Sequence, residues 1–214
     1  TQEYNTIASL ARVLLSKGAE ADIYETTWYG NKAISKVRIE KPYRQKLLDY
    51  EIRKYRTVRE ATMLSTVKET GVRTPFVYFV DPIATEIVME FIEGESLKEK
   101  LNPDLALQMG KCAGLLHINN IIHSDLTTSN FINAKEKGIV MLDFGLAFFS
   151  ERLEDRAVDI RLVKEVLYSS YVSICAEVFS EFLKGYSSIV GKRITATLRK
   201  VREIEQRGRY ARTI

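Results

Sequence analysis

Two short segments of the chain contain the side chains best suited to chemistry. Residues 123–130 place Asp125 five positions before Asn130, and residues 143–145 read Asp-Phe-Gly. Transfer of a phosphoryl group needs an oriented nucleophile and a divalent metal held against the phosphates. Because Mg²⁺ prefers oxygen ligands, we predict that Asn130 and Asp143 hold Mg²⁺. Asp125 is the predicted catalytic residue, which accepts or orients the proton of the nucleophile.

The order and spacing of these segments are those of a kinase catalytic loop and its metal-binding turn. Apolar residues 139–142 directly precede Asp143, and residues 121–122, both isoleucine, precede His123, so each segment follows a run typical of a buried strand. The alternative is that Asp125 caps a turn and that Asp143 begins a surface hairpin. Short motifs match by chance, but the agreement of both contexts favours the kinase interpretation.

Upstream, residues 15–24 occupy the position of a glycine-rich nucleotide loop, although Gly18 is their only glycine. Small residues let backbone N–H groups approach phosphates; an ordinary hairpin turn is the alternative. Farther along, strand alternation puts Ile34 and Lys36 on one face, and we predict that Lys36 is a catalytic residue that pairs with the ATP phosphates rather than a solvated lysine. The loop residues assigned to ATP binding are Leu15, Ser16, Lys17, Gly18, Ala19, Glu20, Ala21, Asp22 and Ile23.

A lysine in this role needs a glutamate from the following helix. Apolar residues recur at helical intervals between Leu47 and Lys68, which predicts that helix. Glu60 stands among apolar neighbours, and we choose it as the partner. The alternative is an exposed acid that pairs with Arg56 four residues earlier.

Residues 87–94 predict a strand that ends at a glycine, in the position of a kinase hinge. We expect the backbone groups of Glu90 and Ile92 to receive an adenine ring. The apolar residues expected to line its slot are Ile23, Ile34, Met89 and Leu142. Apolar side chains at such spacings are also common in an ordinary core, which is the alternative here.

Length and composition fit one two-lobed enzyme. The chain has 214 residues and a formal net charge of +4, and no apolar run approaches the ~20 residues of a membrane span. Cys112 and Cys175 lack metal-ligand spacing and are expected to be small buried residues. We expect a cytoplasmic protein of α+β class, with an antiparallel β N-lobe and hinge over residues 1–92. A reduced helical C-lobe with a basic tail would cover residues 93–214, and ATP would bind between the lobes.

Two departures distinguish the chain from regulated protein kinases. Ser124 stands where most of these kinases have an arginine that receives an activation-loop phosphate. Only thirteen residues separate Gly145 from Asp159, and no Ala-Pro-Glu follows. Regulation by phosphorylation of a long activation loop is therefore not expected.

Together these residues resemble one family over essentially the whole chain: the small atypical kinase subunit of the KEOPS (EKC) complex, the archaeal and eukaryotic p53-related protein kinase family. The specific parts are the loop at 123–130 and the run at 154–159. The resemblance also uses residues 17–21, Lys36, residues 59–61 and 143–147, and the arginine-rich C-terminus.

The resemblance implies ATP and Mg²⁺ binding, weak serine/threonine autokinase activity, and an ATPase activity. That ATPase supports threonylcarbamoylation of the adenosine beside the anticodon of certain tRNAs. The implied partners are the transferase subunit, which binds the kinase directly, and a small subunit that docks on the N-lobe. In some archaea the kinase is fused behind the transferase. The initial Thr1 fits either release from such a fusion or methionine excision.

The C-terminal segment is basic: residues 192–214 contain eight Lys or Arg and two Glu. Residues 207–212 have too few apolar side chains to fold alone. Such a tail can follow a phosphate backbone, which would place tRNA there. The alternative is a solvated helix end stabilised by cations.

Two other classes of function remain open from the residues alone. A small-molecule phosphotransferase related to aminoglycoside kinases shares the His-x-Asp motif and a downstream Asp, but these enzymes usually have a larger C-lobe. A non-catalytic pseudokinase scaffold is the other alternative, and the presence of Lys36, Asp125, Asn130 and Asp143 argues against it.

Overall fold

A computed structural model describes residues 12–135 and 138–210, with side chains described as far as Arg207. The chain divides into two compact units. The first contains Thr1–Thr66 and Pro75–Ile92, and the second contains Val67–Thr74 and Glu93–Ile214. The interpretation of 1–214 as a single kinase domain stays a prediction.

The first unit contains a five-stranded antiparallel sheet with the order β1-β2-β3-β5-β4. The central strands bury Ala33, Ile87 and Val88, while the helix α1 buries Ala61 and Leu64. The elements are β1 (Val13–Lys17), β2 (Ala21–Trp28), β3 (Asn31–Arg38), α1 (Lys46–Glu69), β4 (Val77–Asp81) and β5 (Glu86–Glu90).

The second unit is mainly helical, and its short strands frame the predicted catalytic loop. Strands β6 (Glu95–Ser96), β8 (Phe131–Asn133) and β9 (Ile139–Met141) form one small sheet, and β7 (Ile121–Ile122) pairs with β10 (Phe148–Phe149). The helices are α2 (Pro103–Ile118), α3 (Leu153–Ser170), α4 (Cys175–Val190) and α5 (Ile194–Tyr210).

Helix α2 begins where the sequence chemistry places a helix start. The Asn102 side chain accepts a hydrogen bond from the Leu105 N–H at 2.9 Å, and Pro103 occupies the first turn; both are favourable there. Helix α4 packs closely against α2. A methyl group at Gly185 would lie 1.9 Å from the Leu107 carbonyl oxygen, so this helix crossing requires glycine.

Several expectations need correction. Helix α5 continues through Tyr210, so the segment from Arg207 to Tyr210 is helical rather than a tail outside the helix; residues 211–214 lie outside the described range. Cys112 and Cys175 are free thiols, as expected, but both are partly exposed rather than buried.

In the part of the chain that the structure describes, no helix has the length and apolarity needed to cross a membrane. Helix α3 begins at Leu153, only a few residues after Gly145. The short connection agrees with the expectation that no long activation segment is present.

Candidate nucleotide and metal site

The predicted nucleotide loop is the tight turn between β1 and β2. The Gly18 N–H donates to the Ala21 carbonyl at 3.0 Å, and a Cβ at Gly18 would lie 2.6 Å from that same oxygen. A side chain therefore does not fit at Gly18, and the Lys41 ammonium group donates to the Ala19 carbonyl of the same turn. Residues 15–20 are exposed, and Ala21 is the first buried residue of β2.

Strand pairing brings several of the predicted ATP-binding residues together in the first unit. Ile23 on β2 lies opposite Lys36 on β3, and Ile34 lies opposite Met89 on β5. Met89 is buried, whereas Ile23 and Ile34 are partly exposed. Ile23 and Ile34 therefore keep some apolar surface that a ligand could contact, whereas an ordinary core residue would be fully buried.

Glu60 is the centre of a buried ionic cluster. Its Oε1 accepts from Lys36 Nζ at 2.6 Å, and its Oε2 accepts from Arg38 Nη2 at 2.5 Å. Glu60 is 1% exposed and Lys36 is 8% exposed. The predicted Lys36–Glu60 pair is therefore present, and the alternative pair with Arg56 is wrong, because Arg56 binds Glu20 at 2.9 Å.

Sequence reasoning missed Arg38 as the second cation of this cluster. The signal was available, because strand alternation puts Arg38 on the same side as Ile34 and Lys36. The Nε atom of Arg38 is buried and has no hydrogen-bond partner among the described residues. The cluster therefore joins two cationic side chains to the Glu60 carboxylate.

The hinge expectation is refined by the backbone bonds of Glu90. Its N–H donates to the Phe76 carbonyl at 2.8 Å, and its side chain accepts from the Phe76 N–H at 3.1 Å. The Glu90 N–H is thus already used. A role for Glu90 in adenine binding would have to come from its carbonyl, together with a backbone group of Ile92.

In the second unit, Asp125 and Asn130 are joined directly. The Asn130 amide nitrogen donates to the Asp125 carbonyl at 2.8 Å and to Asp125 Oδ2 at 3.0 Å. These two bonds fix the orientation of the amide. Within residues 12–135 and 138–210, Asn130 Oδ1 has no hydrogen-bond partner, and an oxygen of this kind suits Mg²⁺.

Asp143 is positioned by the turn that follows β9. The Leu142 N–H donates to the Asn130 carbonyl at 2.8 Å, which ties the turn to the catalytic loop. Asp143 has a left-handed backbone with φ 50°, and its Oδ1 accepts from the Gly145 N–H at 3.1 Å. Aspartate and asparagine tolerate this conformation better than most residues. Asn130 and Asp143 therefore supply one amide oxygen and one carboxylate from adjoining segments.

Asp159 on α3 anchors the start of the catalytic loop. Its Oδ2 accepts from the His123 N–H at 2.8 Å, and its Oδ1 accepts from the Ser124 N–H at 2.9 Å. The bond to Ser124 holds a strained residue, because Ser124 has φ 67°. The sequence alone did not assign this role; its signal was the place of Asp159 at the end of the run 154–159.

Behind Asp159, a chain of buried groups extends to α4. The His117 Nε2 lies 3.2 Å from Asp159 Oδ2, and the His117 Nδ1 lies 2.8 Å from the Tyr186 hydroxyl. A carboxylate only accepts, so Nε2–H donates to Asp159, and Nδ1 shares a hydrogen bond with the Tyr186 hydroxyl. Sequence reasoning missed both His117 and Tyr186.

The buried His123 ring packs against Phe144, with ring centroids 4.9 Å apart. Burial lowers the pKa of His123, and this effect outweighs the nearby carboxylates of Asp159, Asp143 and Asp125, which raise it. His123 is therefore a neutral packing residue at neutral pH.

The described residues contain no group of three or more His, Cys, Asp or Glu side chains placed to hold a metal. The predicted set of Asn130 and Asp143 is smaller and includes an amide. Mg²⁺ commonly keeps several waters and takes only one or two protein ligands beside the phosphates. Asn130 and Asp143 therefore fit an Mg²⁺ ion that is also coordinated by nucleotide phosphates and water, rather than one enclosed by protein ligands alone.

Comparison with known proteins relates this geometry to one family. A family profile described as RIO domain matches residues 23–158. The chain is 42% identical to the KEOPS complex subunit Bud32 of Pyrococcus abyssi, an alignment that covers 92% of this chain and 96% of that protein.

Longer relatives match equally well. Proteins named probable bifunctional tRNA threonylcarbamoyladenosine biosynthesis protein are 43% identical in Methanobrevibacter smithii and 41% identical in Methanothermobacter thermautotrophicus, each over 92% of this chain. The chain spans only 36% of the length of these two proteins.

Among solved structures, the fold is similar to the Rio2 kinase of Chaetomium thermophilum, crystallised as an ADP/Mg²⁺-phosphoaspartate complex. The TM-score is 0.67 at 10% identity, covering 97% of this chain and 74% of that one. At this identity the likeness shows the fold alone. The predicted protein-kinase-like fold of α+β class is confirmed.

Proposed function

The chain belongs to the RIO-domain family and, within it, to the KEOPS subunits named Bud32, and on this premise we propose that it is an ATP- and Mg²⁺-dependent serine/threonine kinase with ATPase activity. We further propose that its ATPase supports threonylcarbamoylation of the tRNA adenosine beside the anticodon. The family match favours this function over a small-molecule phosphotransferase.

The observation that carries the proposal is the fixed amide of Asn130. The side-chain nitrogen of Asn130 donates both of its bonds to Asp125. The backbone carbonyl of Asn130 accepts from the Leu142 N–H. These bonds orient Asn130 Oδ1, and we assign this oxygen and the Asp143 carboxylate as the Mg²⁺ ligands. When bound, Mg²⁺ would neutralise charge on the nucleotide phosphates.

The other residues have roles that follow from their bonds. Asp125 orients the attacking hydroxyl or water and accepts its proton, while Asn130 holds the Asp125 side chain in place. The ammonium group of Lys36 binds the ATP phosphates, and Glu60 holds that group in position. The Glu90 carbonyl and Ile92 would hold the adenine, with Ile23, Ile34, Met89 and Leu142 along its faces.

Asp143→Asn tests this mechanism. Asparagine tolerates the left-handed backbone at this position, so the fold is retained and only a charged ligand is lost. We expect Mg²⁺-dependent ATP hydrolysis to fall at least a hundredfold, and the Mg²⁺ concentration for half-maximal rate to rise.

The matched control is Glu177→Gln on the exposed face of α4, which removes one acid and should leave turnover unchanged. Equal turnover in both variants would remove Asp143 from the mechanism, and no turnover in the unaltered chain would favour a scaffold.

The proposed partners are the transferase subunit, the small subunit on the N-lobe, and tRNA at the basic C-terminus. The structure bears on the last point at Arg207, whose Nη1 lies 3.3 Å from Glu154 Oε1 at an exposed site. A phosphate must compete with Glu154 for this arginine. Removal of residues 207–214 from the assembled complex should weaken tRNA binding and flatten its salt dependence by about 0.7–0.9 in log–log slope for each lost phosphate contact. Unchanged affinity and slope would reject tRNA binding by this segment.

A further inference from the structure

A small cavity of about 140 Å³ lies in the second unit, and no residue from 123 to 130 lines it. It is formed where the ends of α2 and α4 meet the starts of α3 and α5. Apolar side chains form much of its wall. The polar residues that line it are His117, Arg156, Tyr186, Arg193 and Thr197.

The two arginines of this cavity have no acidic partner within the described part of the chain. Arg156 donates from Nη2 to the neutral Asn120 Oδ1 at 2.8 Å, and its Nε is buried without a hydrogen-bond partner among the described residues. Arg193 is exposed. By contrast, Arg53 pairs with Asp49 and Arg207 pairs with Glu154.

A partly buried guanidinium without a direct carboxylate partner is unfavourable, because the desolvation of its charge is only partly offset. The buried Asp159 behind this wall is already bonded to His117 and to two backbone N–H groups. Arg156 and Arg193 give the cavity two positive charges and several N–H donors. Guanidinium groups match the planar geometry of an oxyanion, which they bind through paired hydrogen bonds. The cavity is therefore complementary to a single anionic group.

The walls indicate what carries that anion. Ile118, Leu153 and Val190 line the cavity beside the arginines, and Ile118 is 41% exposed at its edge. An aliphatic stem that ends in a carboxylate satisfies both surfaces at once, since its methylenes bury against apolar walls. A phosphate of an RNA backbone has no such stem, and its protein contacts come from charged and polar groups rather than from apolar walls.

We propose that this cavity is a docking site for a glutamate side chain of a partner protein, with Arg156 and Arg193 as its carboxylate receptors. The partner would present the glutamate beside apolar residues that cover Ile118. Neither of the predicted metal ligands lines this cavity, and the proposal does not depend on phosphoryl transfer.

The test uses the full chain and two short probes. These are an acetylated, amidated tripeptide with a central glutamate and the same tripeptide with glutamine. Side-chain N–H signals of the arginines are followed by NMR during titration with each probe. We expect saturable shifts of the Arg156 and Arg193 signals with the glutamate peptide only. A saturable response of equal strength to the glutamine peptide, or no saturable response to either, would overturn the proposal.

Arg193→Gln should weaken binding of the glutamate peptide about tenfold, through loss of one charge-assisted contact. Arg193 is exposed, so the fold should tolerate this change. The matched control is Arg199→Gln on α5, an exposed arginine outside the cavity, which makes the same change in net charge and should leave affinity within twofold. Equal losses in both variants would mean that the peptide senses only overall charge and would reject the site. Tighter binding of inorganic phosphate or of an RNA oligonucleotide than of the peptide would also reject it and identify a phosphate site instead.

Discussion

Each unit of the molecule contains one buried carboxylate that organises predicted functional residues, and the two differ in what they bind. In the first unit, Glu60 receives the side-chain cations of Lys36 and Arg38. In the second unit, Asp159 receives the backbone N–H groups of His123 and Ser124, together with an N–H of the His117 ring. Both carboxylates are nearly inaccessible, at 1% and 0% exposure.

The difference separates two mechanical roles. Lysine and arginine groups stand on flexible stems, so Lys36 can keep contact with Glu60 and still direct an N–H toward a phosphate. Backbone N–H groups have no such freedom, and two of them on one carboxylate fix the path of the chain. Glu60 therefore holds charge in a usable position, whereas Asp159 holds the shape of the loop that leads to Asp125.

The isosteric change Asp159→Asn should have the largest effect. The asparagine side chain has only one acceptor oxygen. Its NH₂ group would face a backbone N–H of His123 or Ser124, which cannot turn away. We expect the free energy of unfolding to fall by about 3–5 kcal/mol, since buried donors lose a charged acceptor. Urea unfolding measures this, and ATP hydrolysis should fall with it because the loop is no longer fixed.

The matched control is Asp155→Asn on the same helix, where the carboxylate accepts from the movable Ser150 hydroxyl at 2.6 Å. That change should cost no more than about 1 kcal/mol. A loss at Asp159 as small as at Asp155 would show that the loop keeps its shape without this anchor.

Glu60→Gln should cost less, because glutamine keeps an acceptor oxygen within reach of the flexible Lys36 and Arg38 side chains. We expect a loss of about 1–3 kcal/mol in unfolding free energy and weaker ATP binding. Lys36→Ala should weaken ATP binding as well, and the double variant should lose less than the sum, because residues in one network couple.

Glu51→Gln on the exposed side of α1 is the control for this cycle and should leave ATP affinity unchanged. Strict additivity of Lys36→Ala and Glu60→Gln would show that the ion pair does not position Lys36 for the nucleotide.

The same two carboxylates show what the sequence can and cannot predict. Lys36, Glu60, Asp125, Asn130 and Asp143 are visible because spacing and flanking apolar runs are local signals. Their places in the fold follow from these signals, although their roles in nucleotide and metal binding stay predictions.

The remaining features depend on contacts that join distant parts of the chain. Asp159 reaches His123 across 36 positions, and His117 reaches Tyr186 across 69. Helix α4 was not predicted, and its close approach to α2 at Gly185 depends on a backbone neighbour far away in sequence. No local periodicity contains such information, so this part of the site becomes evident only from the structure.

Tyr186→Phe tests the outer end of the Asp159 network. Loss of the hydroxyl leaves the buried His117 Nδ1 without its hydrogen-bond partner, which should cost about 1–2 kcal/mol at neutral pH. Burial raises the pKa of Tyr186 to about 12, whereas an unfolded tyrosine titrates near 10. The folded state therefore keeps a proton that the unfolded state releases.

Stability should consequently fall as the pH rises from about 10 toward 12, by up to about 3 kcal/mol at 1.36 kcal/mol per pKa unit. The Tyr186→Phe variant should lack this component of the alkaline loss. Unfolding free energies of both proteins at pH 9 and pH 11 measure it, and parallel losses would show that Tyr186 does not hold its proton in the fold.

Ser124→Gly should have the smallest effect and the opposite sign. Ser124 has φ 67°, a conformation that costs an L-residue about 1–2 kcal/mol. Glycine removes that strain but gains freedom in the unfolded chain, worth about 0.5–1 kcal/mol. The net expectation is a gain of up to about 1 kcal/mol in unfolding free energy, with ATP hydrolysis unchanged because the backbone N–H to Asp159 remains.

Ser124→Ala keeps the strained Cβ and should bring no gain, which separates strain from loss of the hydroxyl. Ser129→Gly, at an exposed position with ordinary φ, should be destabilising by about 0.5–1 kcal/mol. If glycine were no better at Ser124 than at Ser129, the Asp159 anchor would not be holding the loop against backbone strain.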